Sequence, residues 1–452
     1  MQANRVLVVG KDEAHAKAGV AKIAADKFTQ VQATSWMEAI PLASSGRYQL
    51  VIVLAGAEIG IAAVTTFARS AERWAQREGM MLVALTEDGT AALHRDLQHA
   101  GFDDIIHRPM HPKQVASRIA ILLRLSTMRR ELARRQATAR GFTSGDGLFL
   151  APAEPVIASR RASVLLIQFD QSAHCAEQFN RAVRSCTEAT ICDDPEAARA
   201  LLYRGGLDAV LLCSAVDPKS AIDFVDRMRR VPALYNLPAL LATPDVEKLD
   251  LDMVFNAGVT DVAPTCLSSE QLSVHLTSFK RLEALRAALA ARYAQHVEMV
   301  IRDGLTGFAG HGFGMAHLQS TLRDCTELSL PVAVAGLTIE NLDEINATHG
   351  YLAGDIVMRR VGDTVRRCIR GEDMATRLSG SRILVQFPDT RYASANVAIR
   401  RLANVLRLQK IDLPGGASTA LRIGYTLACW DGDADARSLV ASLKARKVAV
   451  AA

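Results

Sequence analysis

Up to about residue 275 the chain alternates short, wholly apolar runs with longer amphipathic stretches. Runs at 5–9 (RVLVV), 50–54 (LVIVL), 81–85 (MLVAL) and, shorter, 104–106 (DII) have helix-period patterns between them. A strand apolar at every position is buried on both faces, so the alternation predicts a parallel sheet covered on both sides by helices. The order returns at 164–167 (VLLI), 209–213 (AVLLC), 239–242 (ALLA) and 260–263 (TDVA), which reads as a duplication. At 271–300, Leu272, Leu276, Phe279, Leu282, Leu285 and Leu289 recur at three- and four-residue spacing. This predicts one long helix that closes the second sheet domain and serves as a stalk. Within 126–160, the basic run MRRELARRQATAR continues a helix and reads as a solvated face ahead of the alternative, an anion-binding patch, and GFTSGDG and APAEP read as linker. The stretch 366–387, RRCIRGEDMATRLSGSRILVQF, reads as a helix end, a tight turn and two strands. RGED sits on the turn, LSGSRI at a hairpin tip and LVQF in a buried strand. The divisions are therefore 1–125, 126–160, 161–275, 276–301 and 302–452.

Composition narrows the classes. At 452 residues the chain exceeds one ordinary core, and 49% hydrophobic against 22% charged residues is globular rather than disordered. A net charge of +5 is small for this length and gives no argument for nucleic acid, though it permits a local anion site. The eight cysteines form no CxxC pair, which argues against a zinc ribbon and for thiols of a reducing compartment. The N-terminus runs straight into a strand with no signal-peptide pattern. No apolar run approaches membrane-spanning length, so a cytoplasmic protein is expected.

Both sheet domains resemble receiver domains of response regulators. Receiver phosphorylation needs an acceptor aspartate, acidic residues for Mg²⁺, a hydroxyl residue and a lysine. In the first domain Gly10 and Lys11 stand at the acidic positions, with Asp12 one place late. The acceptor position is Leu54 or Ala55, Thr86 fits the hydroxyl, and Arg108-Pro109 replaces Lys-Pro. In the second, Gln168 and Phe169 precede Asp170, Cys213 or Ser214 takes the acceptor position, and Thr265-Cys266 replaces Lys-Pro. Neither domain has a carboxylate to phosphorylate, so docking or dimerisation is the expected role. A redox role for Cys213 lacks a neighbouring base or CxxC partner, and a buried thiol is expected instead.

From residue 302 the chain is similar to the GGDEF domain of diguanylate cyclases. RDGLTGF at 302–308 matches the family's D-x-L-T-G opening through Asp303, Leu305, Thr306 and Gly307, with Gly310, His311 and Gly312 replacing Asn-Arg-Arg. The resemblance implies an α/β domain whose central sheet contains antiparallel strands. With two receivers ahead, the organisation resembles the PleD family, and above all its degenerate, PopA-like members. In cyclases a strand-end aspartate and an acidic hairpin residue hold two Mg²⁺ on the GTP triphosphate. Those positions are here Thr338 and Ser381, with Arg382 beside the latter, and Asp343 stands where a phosphate-binding lysine is expected. Glu340 and Asp389 are the nearest remaining carboxylates and do not restore a two-metal site. The resemblance implies a vestigial guanine pocket at Asn346 and Asp355, whose amide and carboxylate suit guanine's edges; a turn cap and a helix start explain them equally.

The family's product-binding Arg-x-x-Asp survives as Arg370-Gly371-Glu372-Asp373, and Arg401 matches its secondary ligand arginine. A guanidinium fork fits guanine O6/N7 or phosphate, and a carboxylate fits the base's donor edge. Arg366 and Arg367 add positive potential or are simply solvated. The resemblance thus implies an inactive cyclase that binds cyclic di-GMP without a metal. It further implies recruitment of protein partners, among them a protease adaptor or substrate at a cell pole, and homodimerisation through the receivers. The competing reading is a ligand-independent scaffold of degenerate signalling domains.

Overall fold

The structure is a computed structural model. It describes residues 5–445 apart from 22–29, 46, 56–63, 65, 71–78, 87–92, 94–95, 98, 108–111, 143–159, 170–172 and 296–301. Arg108, Pro109 and Asp170 therefore lie outside the described residues. The chain divides into two units. Unit 1 is Met1–Arg130, Pro155–Arg229 and Leu237–Leu285; unit 2 is Glu131–Glu154, Arg230–Asn236 and Arg286–Ala452.

Unit 1 holds two five-stranded parallel sheets. The first has β1 (Arg5–Gly10), β2 (Gln30–Ser35), β3 (Leu50–Ala55), β4 (Met81–Thr86) and β5 (Asp104–His107), in the order β2-β1-β3-β4-β5. The second repeats this with β6 (Ala162–Gln168), β7 (Thr187–Cys192), β8 (Ala209–Cys213), β9 (Ala239–Ala242) and β10 (Asp261–Ala263), in the order β10-β9-β8-β6-β7. Every residue of β3 and β4 is buried, as expected of strands covered on both faces. The apolar runs marked the inner strands and the edge strands β5 and β10 but missed β2 (QVQATS) and β7 (TEATIC). Both are edge strands, half polar because one side lacks a neighbouring strand. A buried guanidinium joins the two sheet domains within the unit. Arg118 reaches Asp104 at 2.5 Å and Asp261 at 3.3 Å, and His275 lies 2.5 Å from Asp261.

Unit 2 is built on a four-stranded sheet of β11 (Val332–Ile339), β12 (Met374–Ser379), β13 (Arg382–Pro388) and β16 (Ile423–Cys429). Its order is β12-β13-β11-β16 with antiparallel pairing throughout, and β14 (Lys410–Asp412) pairs with β15 (Ser418–Ala420) beside it. Alternate β11 residues face two cores. Ala333, Ala335, Leu337 and Ile339 pack with the helices Tyr351–Cys368 and Tyr392–Arg407. Val332 and Val334 pack with the helices His311–Leu328 and Ala436–Ala445. The expected hairpin is formed by β12 and β13, with Gly380 at φ +45° at its tip. The two parallel sheets are as the apolar pattern predicts, and the antiparallel strands of the third are as the resemblance implies.

Two long helices run past the sheet domains, Pro112–Arg140 and Ser269–Gln295. The latter carries the predicted apolar stripe, with Leu272, Leu276, Phe279, Leu282, Leu285 and Leu289 all buried. The segment Arg230–Asn236, between the helix Lys219–Met228 and β9, belongs to unit 2.

Candidate functional site

The turn at 370–373 is closed by its own aspartate. Asp373 Oδ2 accepts from the Arg370 N–H at 2.9 Å, and the Asp373 N–H donates to the Arg370 carbonyl at 3.2 Å. Glu372 and Asp373 are buried, whereas Arg370 is exposed. Close packing around the turn works against the Arg370 charge, but Glu372, Asp373 and Tyr235 outweigh it and hold the guanidinium above its ordinary pKa. It is a cation at any physiological pH.

Two side chains from outside the turn hold its carbonyls. Arg135 Nη2 donates to those of Gly371 at 3.1 Å and Asp373 at 2.8 Å. Asn236 Nδ2 donates to those of Arg367 at 2.8 Å and Ile369 at 3.0 Å. Arg135 is fixed in turn by Glu131, which is fully buried and accepts from Arg135 at 2.6 Å and Arg134 at 2.8 Å, with His317 Nε2 at 3.0 Å. Burial alone would raise the Glu131 pKa, but His317, Arg135 and Arg134 hold it well below the usual carboxylate range. The basic 126–140 run, read from sequence as a solvated face, is here partly interior. Arg134 is buried and Arg135 half-buried, because each has a carboxylate to pair with.

Beside the turn is a cavity of about 390 Å³ walled in part by Arg135, Arg286, Arg302, Arg366, Arg370 and Asp373. A volume of this order accepts a nucleotide-sized ligand. Five guanidiniums against one carboxylate give it a strongly anion-favouring lining, although Glu131 and Asp363 pair with Arg135 and Arg366.

The expected ligand residues are thus brought together only in part. Arg370, Gly371 and Asp373 line the cavity. The Glu372 side chain is 3% exposed, which removes it from ligand contact as the turn stands. Arg401, on the helix Tyr392–Arg407, is not among the cavity's lining residues; its guanidinium and that of Arg370 both act on the phenol of Tyr235. Sequence reasoning missed Arg135, Tyr235, Asn236, Arg286 and Arg302. Only the basic run carried a signal, since no periodicity links these positions to the turn.

At the opposite end of the domain, the register sets Thr338 of β11 directly across from Arg382 of β13. Ser381 gives its carbonyl to the Ile339 N–H. Glu340 is exposed and lies over the backbone of Gly424, and Asp389 follows the far end of β13, about 20 Å away at ~3.4 Å per residue. A hydroxyl pair beside a guanidinium is the wrong donor set for Mg²⁺, so the family's two-metal chemistry does not fit these residues. The Asn346 amide packs against the backbone of Gly354, next to Asp355 on the helix Tyr351–Cys368. Asp355 is the fifth residue of that helix rather than its start.

The D-x-L-T-G opening has a structural job of its own. Asp303 Oδ1 accepts from the Thr306 N–H at 2.8 Å and hydroxyl at 2.7 Å, and its carboxylate pairs with Arg377 of β12 at 3.1 Å. Gly307 at φ +70° completes the loop. The loop is thereby fastened to the strand that leads out of the Arg370 turn.

A scan against protein families matches residues 300–445 to the model described as diguanylate cyclase, GGDEF domain. Residues 300–445 form a GGDEF domain. The whole chain is also similar to the response regulator PleD of Caulobacter vibrioides, 22% identical over 95% of this chain and 93% of PleD. The GGDEF domain alone is similar to the diguanylate cyclase TpbB of Pseudomonas aeruginosa, 30% identical over 32% of this chain and 34% of TpbB. Among solved structures, the GGDEF domain of DgcB from Caulobacter crescentus in complex with c-di-GMP aligns over 32% of this chain and 86% of its own, with 19% identity and a TM-score of 0.32. Over its whole length the chain is similar to the response regulator PleD, and several relatives matched over the GGDEF region are named as diguanylate cyclases.

In the receiver-like domains ahead of the GGDEF domain, the former phosphorylation positions are absorbed into structure. Leu54 and Ala55 end β3 buried, and Thr86 is buried at the end of β4. Asp12 accepts from the His15 N–H at 2.7 Å, capping the helix Glu13–Ala21 next to Gly10 and Lys11. Gln168 donates to Asn180 at 3.0 Å, and the Phe169 ring packs edge-on against Phe224. Cys213 is buried, Ser214 donates to the Asp217 carbonyl at 2.7 Å, and Thr265 is buried beside exposed Cys266. Incubation with acetyl phosphate is expected to leave the intact mass unchanged; a stoichiometric, base-labile phosphoryl adduct contradicts this assignment.

Proposed function

We propose that this chain is a PopA-like cyclic di-GMP effector: a GGDEF-domain response regulator that makes no cyclic di-GMP and binds it at the Arg370–Asp373 turn. One observation carries the reading. The arginine-lined cavity is built around the product-binding turn, while the end of β11 that should hold the metals carries Thr338 opposite Arg382. Guanidiniums suit both the phosphates and the guanine edges of a cyclic dinucleotide, and they need no metal to do so. The liganded protein then acts by binding other proteins in the cytoplasm, with an adaptor role in regulated proteolysis at a cell pole as the specific form. The cyclase names of the relatives weigh toward turnover, and the residues at 338 and 381 weigh against it. Purified protein incubated with GTP and Mg²⁺ is expected to yield no cyclic di-GMP above a protein-free control, while calorimetry with cyclic di-GMP shows saturable binding. Protein-dependent turnover contradicts the loss of catalysis. Absence of binding by folded protein supports the ligand-independent scaffold instead.

A further inference from the structure

Glu131, Arg135 and Thr138 stand at i, i+4 and i+7, so one face of the helix Pro112–Arg140 carries all three. That face meets His317 of the helix His311–Leu328. The imidazole Nε2 lies 3.0 Å from Glu131 Oε1, and its Nδ1 lies 3.3 Å from the Thr138 hydroxyl. Glu131 Oε1 also accepts from Arg135 Nε at 2.6 Å, which fixes the plane of the guanidinium. On the far side of that plane Arg135 Nη2 spans the ligand turn, 3.1 Å from the Gly371 carbonyl and 2.8 Å from that of Asp373. A row of polar contacts thus runs from two helices to the backbone of the turn, and all its members belong to unit 2.

The turn closes on itself through the Arg370 N–H to Asp373 Oδ2 and the Asp373 N–H to the Arg370 carbonyl. Gly371, the next residue, has the widest backbone freedom of any type, so this closure alone leaves the loop many alternatives. The direction in which the Arg370 guanidinium leaves the backbone depends on which one is adopted. Arg135 lines the cavity beside Arg370 and Asp373, whereas Glu131 does not.

We propose that Arg135, oriented by Glu131, is a positioning residue of the cyclic di-GMP site: it holds the 370–373 turn in the form that presents the Arg370 fork to the ligand. This rests on the reading of that turn as the ligand site and adds the residue on which its geometry depends. Affinity then scales with the fraction of molecules whose turn is in that form. Lysine is no substitute. Its ammonium is a single point, without the separated Nε and Nη2 donors that face Glu131 on one side and the turn on the other.

The test is calorimetric titration of cyclic di-GMP into the full chain and its variants, each checked for folding by circular dichroism. Hydrogen exchange at the Arg370 and Asp373 amides is followed in the unliganded proteins. Arg135→Ala is expected to bind roughly tenfold more weakly, the loss when about one molecule in ten keeps the ligand-ready turn, and to lose protection at those two amides. Arg135→Lys should bind as weakly as Arg135→Ala, although a cation again faces the cavity. Glu131→Gln should weaken binding by less, from a position that does not line the cavity. Added to Arg370→Ala, Arg135→Ala should cost about threefold at most, because the two act on the ligand by one route. Wild-type affinity or unchanged amide protection in folded Arg135→Ala overturns the proposal. Rescue by Arg135→Lys, or full addition of the two losses in the double variant, makes Arg135 a separate ligand cation and overturns it as well. Should Arg135→Ala fail to fold, wild-type affinity in both Arg135→Lys and Glu131→Gln overturns it. Those failures leave the ligand assignment standing, because the wild type still binds. If the folded wild type does not bind, the assignment itself fails and the positioning role falls with it.

Discussion

Glu131→Ala is expected to destabilise unit 2 by about 3–5 kcal/mol, the usual cost of removing one partner from a buried ion pair. The carboxylate is fully buried among Arg134, Arg135 and His317, so its loss leaves half-buried Arg135 without its carboxylate and Arg134 with Asp324 alone. Chemical denaturation followed by circular dichroism measures the change, and a loss below about 1 kcal/mol, typical of an exposed pair, contradicts it. The same group sets an acid limb. Burial raises the Glu131 pKa less than His317, Arg135 and Arg134 together lower it, so the folded value is depressed. A depressed carboxylate stabilises the fold above its unfolded pKa of about 4.3, and that stability is lost as pH falls below this. Burial likewise keeps His317 below its ordinary value, against the pull of Glu131, so its protonation on unfolding erodes stability from about pH 6.5 downward. Both shifts act in one direction, and Glu131→Gln should flatten the lower part of the limb.

Arg370→Ala is expected to weaken cyclic di-GMP binding by roughly tenfold to a hundredfold, the equivalent of the about 1–3 kcal/mol that a bidentate guanine contact supplies. Asp373→Ala should also weaken it, through geometry as well as chemistry. Its carboxylate holds the Arg370 N–H at 2.9 Å, and without it the turn that aims the arginine opens. Asn346→Ala should change binding far less, since that amide packs on the backbone of Gly354 and does not line the Arg370 cavity. Equal affinity of Arg370→Ala and wild type places the ligand elsewhere.

The inner strands were legible because burial on both faces leaves an apolar run, and so were the edge strands β5 and β10, whereas the edge strands β2 and β7 were not because their sequences are half polar. Arg370, Gly371 and Asp373 could be found from their spacing within a single turn, and the cavity bears on all three. Arg135, Asn236 and Tyr235 could not. They arrive from positions more than 100 residues away in sequence, and each alone reads as an ordinary helix or loop residue. The basic run was misread for a related reason: a solvated arginine and one paired with a buried glutamate look the same until the partner is placed. Glu372 shows the converse, a motif residue whose type suggests a ligand contact but whose side chain the turn directs inward.

Titration of cyclic di-GMP into the full-length protein in the presence of EDTA tests the central claim most directly. Saturable binding at micromolar ligand or tighter, undiminished by the chelator and weakened at least tenfold by Arg370→Ala, is the predicted result. A folded wild-type protein that gives no heat of binding, or one whose binding requires Mg²⁺ and ignores Arg370, contradicts it.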